Sequence, residues 1–390
     1  MSKPAREGVR PAFSQVVADA AQAMSIRYNN LVYELKRQGV HVTVLSLGEA
    51  FFDIPLLPMD DLPYPHIYHY THSRGIPELR EKICAYYQRH FGVPIDPERE
   101  IIVTAGSKAA IHFSMMCVLD PGDEVIIHEP TWVSYPEQVK LCYAKPVLMP
   151  YTCTVRDYER YLTDRSKLIV INNPHNPRGE VMTRRDLQYL VELARAHGLY
   201  VLADEAYSDF LVDEEFHSLG AIDPEKSNVI ICNSISKNFG ISGWRLGYAI
   251  TNPELTDQIL KVNQHIITCP ASILQYYMAA HFDEIIRITY PQIAEVVRKR
   301  REVADFMDEL GLRYLPGAAT FYFFVCIAPT RLTSEEFCTR LLMEEHISVV
   351  PGVGYGQSCD AFVRVSVGTE SLADIKAALV KLQELIVKTS

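Results

Sequence analysis

The stretch Val229–Gly247, VIICNSISKNFGISGWRLG, opens on an apolar run, Val229–Cys232, short and rich enough in Val and Ile to be a strand buried on both faces. Just beyond it two serines, Ser234 and Ser236, flank a lysine, Lys237. A lysine desolvated at a strand tip among hydroxyls is placed to become a neutral, nucleophilic amine. Further on, Arg245 sits in a glycine-rich turn and is a candidate bidentate phosphate clamp. A lone lysine is ordinarily a solvated surface charge, so the reading needs support from the rest of the chain.

Upstream the same pattern repeats. Ile101–Thr104, Glu124–His128, Leu168–Asn172 and Tyr200–Ala203 are short apolar runs, interleaved with helical patterns such as Lys108–Leu119 and Arg184–His197. This βαβα rhythm predicts an α/β fold, a mostly parallel sheet covered by helices. Ligands of such sheets bind beyond the carboxyl ends of the strands, so the residues after each run matter most.

After the first run, Ala105-Gly106-Ser107-Lys108 opens a helix, whose free first amides suit a phosphate. A plain connection has the same look. After Leu168–Asn172, two Asn-Pro steps in Asn172-Asn173-Pro174-His175-Asn176-Pro177-Arg178-Gly179 predict a rigid, extended loop that presents Asn176 to a ligand or simply turns at the surface. After Tyr200–Ala203 comes Asp204-Glu205-Ala206-Tyr207. A carboxylate at a buried strand tip needs a partner, and a cationic ring nitrogen is one; capping a helix is the other use. Together these tips supply the parts needed to hold an anionic, pyridine-containing aldehyde covalently.

The flanks read differently. A helix over Met24–Gln38 and a strand over Val42–Leu47 precede the core pattern. A charged helix over Tyr290–Leu310 leads into a hairpin-like Arg313–Ile327, then helices over Ser334–Glu345 and Ala373–Val387. The expected division is a large domain over 51–288 and a smaller one from 1–50 and 289–390.

Composition narrows the function. A net charge of −10 opposes a general nucleic-acid or membrane-surface role. Nine cysteines, an odd number with no C-x-x-C pair, oppose a disulfide framework or zinc site and favour the cytoplasm. Met1–Asp19 lacks the apolar run of a leader, and no stretch of about 18 apolar residues suggests a membrane span. His66, His69 and His72 recur every third residue, but no carboxylate or cysteine completes a ligand set, and no metal is expected.

These residues resemble the class I/II aminotransferases, the fold-type I enzymes dependent on pyridoxal 5'-phosphate. The likeness runs over about residues 20–385. It is carried by Tyr70-Thr71-x-x-x-Gly75-x-x-x-Leu79-Arg80, Asn173-Pro174-His175-Asn176-Pro177, Asp204-Glu205-Ala206-Tyr207, Ser234-x-Ser236-Lys237, Gly243-Trp244-Arg245-x-Gly247 and Phe362-Val363-Arg364-Val365-Ser366. It implies a seven-stranded, mostly parallel sheet in the large domain, a smaller α+β domain from both termini, and transfer of an amino group between an amino acid and a 2-oxo acid. It further implies that Lys237 holds the cofactor as a Schiff base and moves the substrate proton. Asp204 pairs with the ring nitrogen, Asn176 and Tyr207 with the ring hydroxyl, and Trp132 stacks on the ring. Gly106, Ser107, Lys108, Ser234, Ser236 and Arg245 hold the phosphate. Arg364, with Gly48, Asn176 and Trp132, receives the substrate. Tyr70 reaches the neighbouring site of a homodimer.

Two departures stand out: Arg178 replaces the usual threonine, and Gly48-Glu49-Ala50-Phe51-Phe52-Asp53 replaces Gly-Glu-Pro-x-Phe. Lys108 and Arg27 sit where relatives read acidic side chains, which points to a dicarboxylic partner; each also reads as a surface charge or intersubunit ion pair. Phe51, Phe52, Tyr64, Tyr68 and Phe321 equally suit an aromatic or apolar substrate. A C–S lyase or cyclising synthase on the same fold would keep the same cofactor residues.

Overall fold

The computed structural model describes residues 13–211 and 213–390, so most of the Met1–Asp19 segment read for a leader lies outside the described residues. The strands, in chain order, are β1 Thr43–Val44, β2 Ile101–Thr104, β3 Glu124–His128, β4 Lys145–Met149, β5 Ser166–Asn172, β6 Tyr200–Asp204, β7 Val229–Ser234, β8 Gly247–Ile250, β9 Tyr322–Cys326, β10 Ile347–Ser348, β11 Val350–Pro351 and β12 Phe362–Ser366. Seven form the main sheet, in the order β2-β8-β7-β6-β5-β3-β4. Every pair is parallel except those made by β8, which runs against both β2 and β7.

Alternation explains why the central strands are apolar throughout. Successive side chains point to opposite faces of a sheet. Ile169, Ile171, Val201, Ala203, Val229 and Ile231 join one core. Their neighbours Leu168, Val170, Leu202, Ile230 and Cys232 pack on the opposite face of the same sheet. Helices cover both. The helix Arg184–His197 buries Leu187, Leu190, Val191 and Ala194, is capped by Thr183 and stops at Gly198 in the left-handed region (φ 66°).

A second core unites the two ends of the chain: Tyr28, Val32 and Leu45 pack with Phe321, Val363, Leu379 and Leu382. Its small sheets are β11-β12-β9, antiparallel, and β1-β10, parallel. The expected strand Val42–Leu47 shrinks to β1. The helix expected from Tyr290 in fact begins at Ser272 and runs unbroken to Glu309, through Pro291. A proline usually ends or kinks a helix, which is why the sequence hid the first half. That half packs Tyr277, Met278 and Phe282 in the main core, and the second packs Ile293, Val303 and Met307 in the other.

Thr104, Asn172, Asp204 and Ser234 all end their strands at one edge of the main sheet. Reversed β8 begins at that edge, where Gly247 pairs with both Thr104 and Ser234. A side chain at Gly247 would collide with the Gly106–Ser107 backbone, so glycine lets the helix that follows β2 start against it.

Candidate active site

A cleft of about 200 Å³ opens at this edge, between the two cores. Its walls include Gly48, Ser107, Lys108, Trp132, Asn176, Asp204, Tyr207, Ser234, Ser236, Lys237, Arg245 and Arg364, the residues that five separate strand tips and the second core contribute. Lys237 lies just past β7, and its Nζ donates to the Gly48 carbonyl oxygen. Burial lowers the Lys237 pKa to about 8; Glu49 and Asp204 oppose the fall, while Arg364 and Arg245 add to it. A neutral amine is thus within reach near neutral pH.

Asp204 ends β6 and is buried. Burial raises its pKa to about 6, against the pull of two donors: Tyr135 Oη donates to Oδ2 at 2.7 Å, and the Ala206 amide to Oδ1 at 3.2 Å. The Asn172 side chain fixes the neighbouring loop. Its Nδ2 donates to the Asp204 carbonyl (2.8 Å), and its Oδ1 accepts the Asn176 amide (2.7 Å). Asn176 Nδ2 then donates to Tyr207 Oη at 3.2 Å, and Tyr207 Oη lies 3.0 Å from Tyr322 Oη. Burial holds the Tyr207 phenol well above its ordinary pKa, so it stays protonated.

The opposite end suits a phosphate. The helix Ser107–Val118 starts here with no side-chain cap, leaving its first amides free, behind Gly106 at φ 83°. A Cβ on Gly106 would lie 2.6 Å from Arg245 Nη2, so the guanidinium occupies the space that glycine leaves. Ser234 and Ser236 complete the pocket. An anion-binding turn, a buried carboxylate and a primary amine lining one cleft match the phosphate, ring nitrogen and aldehyde of pyridoxal phosphate.

Arg364, on β12, is buried; its Nη2 donates to the Ser46 carbonyl at 2.7 Å and its guanidinium stacks 4.5 Å from the Tyr322 ring. Its Nε is buried without a partner. Gly48 leaves the approach to Arg364 open, since a Cβ there would sit 3.2 Å from Tyr322 Oη and 3.8 Å from Arg364 Nη2. Lys108 Nζ stands 5.2 Å from the Trp132 ring centroid, and burial, then Arg245, lowers its pKa.

One expected residue is not brought to the cleft. Arg27 points outward and pairs with Glu335 at 3.3 Å. Ser25 and Asn29 of the same helix line the cleft instead. Residues four apart share a helix face, whereas a residue midway between them points the other way. Tyr70, expected to serve a neighbouring subunit, is 86% exposed. Arg178 pairs with Glu180 at 3.1 Å and lines a separate cavity beside the cleft. Tyr135, Tyr322, Asn172 and Ser242 escaped the sequence reading, as their roles rest on contacts made only in the fold. No group of three or more His, Cys, Asp or Glu arranged for a metal occurs among the described residues.

Known proteins share this architecture. The family model described as aminotransferase class I and II matches residues 65–382. An aspartate aminotransferase of Pyrococcus abyssi is 32% identical over 340 residues, covering 84% of this chain and 87% of the relative. Aromatic-amino-acid aminotransferase 2 of Thermococcus litoralis is 32% identical over 345 residues, 85% of this chain and 89% of its own. The solved structure of aspartate aminotransferase from Thermus thermophilus with maleate superposes with a TM-score of 0.86 at 30% identity, covering 96% of this chain and all of that one (100%).

Proposed function

Since the chain belongs to the class I and II aminotransferases, a family of pyridoxal phosphate enzymes, we propose that it transfers amino groups in the cleft described above, with a dicarboxylic amino acid or oxo acid as one partner. The family and the named relatives favour amino-group transfer over the lyase and synthase alternatives. Bound pyridoxal phosphate supplies an aldehyde for covalent attachment and a pyridine ring that accepts the electron pair released at the substrate Cα.

The protein's own groups do the rest. Lys237, its pKa lowered to about 8, would hold the cofactor and would be the base that takes the substrate Cα proton. Asp204 holds a proton on the ring nitrogen; Tyr135 and the Ala206 amide keep its carboxylate aimed. Tyr207 and Asn176 donate toward the ring oxygen. Trp132 covers the ring. The Ser107 and Lys108 backbone amides, with Ser234, Ser236 and Arg245, hold the phosphate around Gly106. Arg364 binds the α-carboxylate as a bidentate fork, and its unpartnered Nε marks unused capacity.

Lys108 carries the substrate reading: a cation in the cleft beside Trp132 is placed to meet a second carboxylate. Arg27 has no part in it. The test is a Lys108→Leu variant assayed with aspartate, glutamate, phenylalanine and tyrosine. A fall of about tenfold in kcat/KM for the acidic donors alone supports the proposal; an equal effect on all four, or none, opposes it.

Two further readings follow. Exposed Tyr64, Tyr68 and Tyr70 fit a surface covered by a second copy, with Tyr70 reaching the partner's phosphate site. Nine free cysteines fit a reducing cytoplasm, and no helix of the described residues is long and apolar enough to cross a membrane.

A further inference from the structure

Glu129 follows β3 and stands three residues before Trp132, yet has no part in the chemistry above. It is buried. Its Oε1 accepts the Gln357 amide at 3.0 Å, and its Oε2 accepts the Ser358 amide at 3.0 Å together with the Ser358 hydroxyl. Gly356, at φ 140°, has no room for a Cβ against this carboxyl group. Thr131 adds a second tie, its amide donating to the Tyr355 carbonyl at 2.7 Å. All these partners belong to the loop Gly352–Cys359, which packs with Phe324, Val350 and Phe362 in a small cluster of its own. One member of that loop, Tyr355, lies 5.5 Å from the Arg364 guanidinium. The other aromatic wall of Arg364, Tyr322, is secured independently: the segment leading into its strand is tied by Ala319 N to Gly179 O and Thr320 N to Phe210 O, each 2.8 Å.

We propose that Glu129 is a positioning residue for the substrate carboxylate: it fastens the Gly352–Cys359 loop to the Trp132 segment and so sets the Tyr355 wall of Arg364 relative to the ring-binding face. Three donors converge on one buried carboxylate, and bonds to an ionised acceptor are the strong ones. A glutamine retains the shape but turns one acceptor into a donor facing N–H and O–H groups. The Tyr355 wall then loosens while the residues around Lys237 stay in place.

This inference rests on Arg364 being the carboxylate clamp, and the experiment separates the two. Glu129→Gln, Ser358→Ala and Arg364→Ala are compared in the loaded enzyme. The readouts are steady-state kinetics, the visible absorbance of the cofactor, and calorimetric binding of the dicarboxylate maleate. Glu129→Gln should raise KM for the amino donor and the maleate Kd by about tenfold while kcat and absorbance stay within about twofold. Ser358→Ala, which keeps the carboxylate and both amide donors, should shift both in the same direction by less, and decides alone if Glu129→Gln does not fold. If Arg364→Ala keeps full maleate affinity, the clamp reading fails. If Arg364→Ala loses it but Glu129→Gln and Ser358→Ala bind maleate as the parent does, whatever their melting temperatures, the positioning role of Glu129 is refuted.

Discussion

Replacing Tyr135 with phenylalanine removes one oxygen, the donor lying 2.7 Å from Asp204 Oδ2. Burial has already raised the Asp204 pKa from 3.8 to about 6. The folded protein without cofactor therefore binds this proton more tightly than the unfolded chain does. Stability falls as pH climbs between these two values and is level above them; the raised pKa corresponds to a loss of about 3 kcal/mol at the plateau. A hydrogen bond to a charged acceptor contributes about 1.5–3 kcal/mol. Losing it moves the Asp204 pKa up by roughly a further one to two units. Tyr135→Phe should then resemble the parent at pH 5, where both hold Asp204 protonated, and be less stable by about 1.5–3 kcal/mol at pH 8.5. Urea unfolding of cofactor-stripped protein at the two pH values measures this. A stability loss equal at both would mean that the phenol does not serve the ionised carboxylate. In the loaded protein a protonated ring nitrogen beside Asp204 should narrow the gap between the two pH values.

Gly106→Ala forces a Cβ into space held by the Arg245 guanidinium at a positive φ, and should destabilise the protein by about 1–3 kcal/mol and weaken cofactor retention on dialysis; retention equal to the parent's would argue against Gly106 and Arg245 forming the phosphate cradle. Arg27→Ala breaks only a half-exposed pair with Glu335, so stability should change by less than about 1 kcal/mol and the ratio of acidic to aromatic donor activity should not change; a drop in that ratio would return Arg27 to the cleft.

The strand tips were legible in combination: Lys237, Asp204, Asn176 and the Gly106 turn each follow a short apolar run at the same end of the expected sheet, although each taken singly had a plain structural reading. Arg364 was legible only through the resemblance, since in composition it is one more arginine on a late strand. Tyr135 was not legible. It reads as an ordinary aromatic, and its partner is 69 residues away in sequence. Tyr322 and Glu129 are alike in this: each acquires meaning from a partner more than 100 residues away in sequence. Arg27 misled because identity was weighed without helical phase, which sends Ser25 and Asn29 to the cleft and the arginine to solvent. Strands β4 and β8 were missed for different reasons. β4 is a half-exposed edge opening on Lys145-Pro146, and β8 follows so closely on the Gly243–Gly247 turn that it reads as part of it.

The most direct test of the account is borohydride reduction of the protein loaded with pyridoxal phosphate, followed by peptide mapping of the attachment site. The yellow absorbance should bleach, and the cofactor should be found on the peptide that carries Lys237 and nowhere else, with Lys237→Ala giving no labelled peptide. Label on a different lysine, or no label in protein that has taken up the cofactor, would contradict it.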